Sequence, residues 1–108
     1  MGVFVGNLTI ALNESDSNSI GGRLLRTLRS ISIHAPSALD GTVTLAAADQ
    51  LAETSFTTVQ SGGVDVTLTS SKILVITDLP FHALRVESTG SEDPAKVFPV
   101  FGEEKAHQ

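Results

Sequence analysis

The stretch Phe56-Thr57-Thr58-Val59-Gln60-Ser61-Gly62-Gly63-Val64-Asp65-Val66-Thr67-Leu68 decides the fold. After its two glycines, Val64, Val66 and Leu68 alternate with Asp65, Thr67 and Thr69. A period of two puts the apolar side chains on one face of a strand and the polar ones on the other. Ser55 to Gln60 reads as a short strand before it. Ser61-Gly62-Gly63 reads as the turn between them, because adjacent glycines accept the positive φ of a tight hairpin.

The same grammar extends in both directions. Pro36 to Gly41 is a turn region ending in Asp40-Gly41. Thr42 to Ala47 alternates, with Val43, Leu45 and Ala47 directed inward. Asp49 to Glu53 is a loop or a short helical turn. Beyond the hairpin, Ser70-Ser71 turns the chain into Lys72 to Thr77. The unbroken apolar run Ile73 to Ile76 predicts burial on both faces. Asp78-Leu79-Pro80 ends that strand. Phe81 to Ser88 follows, with Leu84 and Val86 inward, then the polar loop Thr89 to Pro94 and a closing strand, Val97 to Phe101.

Toward the N-terminus, Val3 to Leu12 changes phase near Gly6-Asn7, which predicts a strand with a β-bulge or a kink at Gly6. Asn13 to Gly22 is a polar loop. In Arg23 to Ser30, Leu24, Leu25 and Leu28 share a helical face. At most one helical turn is expected there, before a strand from about Leu28 through Ile31, Ile33 and Ala35. The pattern predicts an all-β chain: a single antiparallel β-sandwich, jelly-roll or Ig-like, of seven to eight short strands. Residues 1–102 form the one domain expected, and 103–108 a mobile charged tail.

Composition narrows the chemistry. The 108 residues suffice for one core, and 41% are hydrophobic. Five Phe and no Trp or Tyr leave that core to aliphatic side chains. The absence of cysteine excludes disulfides, thiolate metal sites and cysteine nucleophiles. Small domains without disulfides fit a reducing compartment or stabilisation by a partner. No segment has the parts of a signal peptide, and no apolar run reaches spanning length, so no membrane partner is expected. The net charge of −5 opposes nucleic acid. The one basic cluster, Arg23, Arg26 and Arg29, has no aromatic platform beside it, so no nucleic-acid partner is expected either.

Candidate sites are few. His34 and His82 each stand in a strand, and His107 lies in the tail. The chain has no H-x-x-x-H, no H-E-x-x-H and no G-x-S-x-G elbow. Asn13 to Asn18 carries alternating oxygen ligands but lacks the glycine and closing glutamate of a calcium loop. Gly21-Gly22 and Gly62-Gly63 lack the Gly-Lys-Ser/Thr of a phosphate loop. Arg85 stands opposite Leu84 and Val86, where its stem covers an apolar surface or its head makes a salt bridge across the sheet. No enzyme activity, catalytic residue, cofactor or metal is expected.

Four pieces carry a resemblance: Asp40-Gly41-Thr42-Val43-Thr44-Leu45, the glycine-pair hairpin, Phe81-His82-Ala83-Leu84-Arg85-Val86-Glu87-Ser88 and the closing Val97-Phe98-Pro99-Val100-Phe101-Gly102. Over residues 28–102 the chain resembles small β-sandwich virion structural proteins of tailed bacteriophages, of the head cement or decoration type. That resemblance implies a virion protein on the head surface, present in the host cytoplasm during assembly. Its implied partner is the major capsid protein or another virion protein, and it implies a homo-oligomer, trimer or dimer. A tail or connector subunit, or a carbohydrate- or peptide-binding β-module, are the alternatives. The apolar N-terminal segment, with Val3 and Val5, and the trio Arg23, Arg26 and Arg29 are the candidate partner contacts, since arginines on an acidic protein can meet acidic patches on a neighbour.

Overall fold

Alternating side chains and glycine-rich turns produce a wholly β molecule. The computed structural model describes residues 2–21, 28–48, 56–77 and 83–104. Eleven β elements lie among the described residues: β1 (Gly2–Ile10), β2 (Ile20–Gly21), β3 (Leu28–His34), β4 (Val43–Ala48), β5 (Thr57–Thr58), β6 (Gln60–Ser61), β7 (Val64–Asp65), β8 (Thr67–Leu68), β9 (Ile73–Thr77), β10 (Ala83–Ser88) and β11 (Lys96–Glu104). The count exceeds the seven or eight expected because the hairpin strands are each split in two, and because two-residue β2 also pairs. The helical turns expected near Leu24–Leu28 and Asp49–Ala52 fall outside the described residues, apart from Leu28, which opens β3.

The strands form two main antiparallel sheets. One has the order β1-β11-β3-β9. The other has the order β2-β10-β4-β5, with β8 also paired to β4. Their inner faces share one core of Leu8, Ile10, Leu28, Ile31, Ile33, Val43, Leu45, Leu68, Leu84, Val86, Phe98 and Val100, drawn from both sheets, which makes the molecule a β-sandwich. Phe98 is the largest side chain in it.

The bulge in β1 is where the phase change placed it. Pairing with β11 shifts between Phe4 and Gly6, and the shift lets Val3 and Val5 as well as Leu8 and Ile10 turn toward the core. The glycine pair also acts as expected. Gly62 and Gly63 have φ of 63° and 83°, and they close the β6–β7 hairpin. That hairpin departs from the sheet at Leu45, whose backbone bonds both Val59 and Val66. β5 and β8 therefore continue the same edge of β4 on either side of the excursion.

Two burial expectations exchange places. β9 was expected to be buried on both faces, but only Leu74 and Ile76 face the core. Ile73 is 57% exposed and Val75 63%. β9 is an edge strand, and among the described residues no layer covers its outer side. Conversely, β4 was expected to bury one face only. Ala46 and Ala48 on its other phase are buried too; Ala46 is paired with Arg85, whose guanidinium lies over the Phe56 ring. β11 also runs through Glu103 and Glu104, paired with Ser30 and Leu28, so the first two residues assigned to the tail belong to a ladder. Residues 105–108 lie outside the described residues.

Candidate protein-docking surface

The outer face of the β1-β11-β3-β9 sheet is built by the residues that alternate with the core positions. One row crosses all four strands in register: Phe4, Phe101, Ser32 and Val75. The neighbouring row holds Asn7 opposite Pro99 and His34 opposite Ile73. Phe4 and Phe101 pack edge to face, 5.4 Å between centroids, and the His34 ring lies 5.0 Å from that of Phe101. Phe4 is nevertheless 59% exposed, and Val97 and Phe101 are exposed as well.

A groove runs along the middle of this face. Ser30 and Ser32 are outward residues of β3 beside His34, and their small side chains lie between Phe101 on one side and Val75 on the other. The resulting depression has a volume of about 230 Å³. At one end the Arg29 guanidinium donates to Glu103 Oε1 at 2.9 Å, an exposed ion pair.

The outer face of the other sheet is different. Ala46, Ala48 and Ala83 are buried there. Arg85 lies 4.3 Å over the Phe56 ring and donates to Glu87, with Asp16 at 3.7 Å. Of the two uses expected of Arg85, the ion pair forms, with Glu87 on its own strand and with Asp16, while it is the guanidinium and not the stem that lies on an apolar ring.

The sequence-derived contacts are only partly brought together. Val3 and Val5 are half-buried against the core, and the exposed apolar side chain of that segment is Phe4. Arg29 stands at the end of this outer face, held by Glu103. Arg23 and Arg26 lie outside the described residues, as do His82 and His107. The loop 13–18 is occupied with internal bonds. Asn18 accepts from Thr9 N–H and donates to Asn7 C=O, and Val86 N–H donates to the Ser17 hydroxyl. Among the described residues no group of three or more His, Cys, Asp or Glu is arranged to hold a metal ion. No helix among them is long and apolar enough to cross a membrane.

Sequence reading missed Phe4, Phe101, Ile73 and Val75 as surface residues. A signal was present at the closing strand, where Val97-Phe98-Pro99-Val100-Phe101 is apolar in both phases. It missed Glu92 as well. This carboxylate is 0% exposed and accepts from Asp40 N–H, Gly41 N–H and the Ser88 hydroxyl at 2.7 to 3.1 Å. It pins the turn before β4 and has no open side toward a substrate.

Comparison with known proteins finds no matching family model, no matching curated protein and no matching solved structure.

Proposed function

We propose that this chain is a non-catalytic assembly protein that docks through the outer face of its four-stranded sheet onto a large protein lattice. The head cement proteins it resembles supply the specific form of the reading: a decoration subunit on a tailed-phage head, bound to the major capsid protein. One observation carries the docking role. Of the two outer faces, one is polar or covered, while the other presents Phe4, Phe101, Val75 and Ile73 as a contiguous apolar surface around a groove. Contiguous exposed apolar surface on a small domain marks an interaction site. The groove along β3 also suits an extended segment, which keeps a peptide-binding module as the second reading.

The double variant Phe4→Ser/Phe101→Ser tests this. Both side chains point away from the core, so the fold is expected to survive. Occupancy in purified particles should fall at least about tenfold, as for removal of buried aromatic anchors. Wild-type occupancy with a folded variant would contradict docking by this face. Absence of the wild-type protein from particles would contradict the virion reading.

A further inference from the structure

We propose that the free edge of β9 pairs with β9 of a second copy, antiparallel about a two-fold axis at Val75, joining two four-stranded sheets into one of eight strands. Ala35 N–H donates to Lys72 C=O at 3.0 Å, in register with the β3–β9 ladder. Backbone groups alternate along such a ladder. Those of Leu74 and Ile76 therefore face β3, and the N–H and C=O of Ile73, Val75 and Thr77 face outward. β9 is the terminal strand of its sheet, so among the described residues no neighbouring strand takes them up.

This set of groups is self-complementary. With the axis at Val75, each Val75 bonds its counterpart, and each Ile73 bonds Thr77 of the other copy. All outward donors and acceptors are then paired, and none is left over. The axis is perpendicular to the sheet, so faces are preserved. Leu74 and Ile76 meet on the core side. The row Phe4, Phe101, Ser32, Val75 continues into its own mirror order across the axis.

The other edges show why β9 is the one free to pair. Proteins blunt exposed edges with bulges, short strands, charges or covering side chains. β1 has the bulge at Gly6, and Asn18 occupies the outward Asn7 C=O and Thr9 N–H. β2 is two residues long, and the edge formed by β5 and β8 is interrupted by the hairpin excursion. β9 has none of these devices: Ile73-Leu74-Val75-Ile76-Thr77 carries no charge, proline or bulge. An isologous contact is the usual way such a surface is closed. The contact is small beside a standard interface, so the dimer is concentration-dependent. The inference concerns the edge and stands whether or not the outer face docks on a lattice.

Sedimentation velocity and residue-resolved amide exchange on the isolated full chain test it. Wild type should pass from monomer to dimer with concentration, and the amides of Ile73, Val75 and Thr77 should gain protection in step. Leu74 and Ile76 should be protected throughout. Val75→Pro removes an outward N–H and no β3 bond, so it should keep the native circular dichroism and weaken dimerisation at least about tenfold. A wild type that stays monomeric at every attainable concentration overturns the proposal. So does a dimer that forms without protection at Ile73, Val75 and Thr77. If Phe4→Ser/Phe101→Ser abolishes the dimer and Val75→Pro leaves it intact, association runs through the face and the edge proposal fails.

Discussion

Glu92 is the residue on which one end of the sandwich depends. Its two oxygens accept the N–H groups of Asp40 and Gly41 and the Ser88 hydroxyl. Its backbone is tied to Asn13 and Glu14. Gly41 must be glycine for this clasp to close, because a Cβ there would lie 2.5 Å from the Ser88 hydroxyl and 2.9 Å from Gly90 N. Glu92→Ala leaves partly buried donors without an acceptor, and is expected to cost about 3 kcal/mol. For a domain of this size that lowers Tm by more than roughly 10 °C. Glu92→Gln keeps one acceptor oxygen but turns an amide toward a donor, so its Tm should fall between the two. Thermal unfolding followed by circular dichroism checks the order. A Glu92→Ala protein with wild-type Tm would show that the clasp is not a stabilising feature.

At the scale of elements, the hairpin separates cost from consequence. Nothing lies within 4 Å of a Cβ added at Gly62 or Gly63. The cost of Gly63→Ala is therefore the left-handed backbone alone, about 1–2 kcal/mol. Because the tip stands off the core, that strain is expected to be relieved by local fraying. Amides at Val64 and Asp65 should exchange faster while Tm changes little. Loss of cooperative unfolding in Gly63→Ala would mean that the hairpin organises the sandwich.

The elements also show how far the sequence could be read. Alternation and glycine punctuation placed most of the sheet strands to within about two residues of their ends, the usual scatter of boundaries, but β11 runs three residues past its expected end at Phe101 and β2 was read as loop. The bulge in β1 was legible because an inserted residue flips the phase of every later side chain. Burial was not legible in β9. An unbroken apolar run records only that both faces are apolar, and it reads the same whether the second face meets its own chain or another one. The Glu92 clasp was hidden for a different reason: two of its three donors are backbone groups, which leave no pattern in the side chains. Val3 and Val5 looked available because their segment is apolar, whereas pairing with β11 turns them inward and leaves Phe4 outside.

For the whole molecule, the asymmetry between its two outer faces is the feature on which the proposed docking rests. A chain of 108 residues has a thin stability margin. Covering Phe4, Phe101, Val75 and Ile73 against a lattice would add to it by mass action. Tm should therefore be higher on the particle than in solution. On the proposed virion reading, cryo-electron microscopy of purified particles assembled by the phage that would encode the chain is the most direct test. The expected map shows many copies on the particle, each with the outer face of the β1-β11-β3-β9 sheet against a lattice subunit and the Phe4–Phe101 pair buried. Copies bound by the β2-β10-β4-β5 side, with Phe4 and Phe101 facing solvent, or particles without this protein, would contradict it.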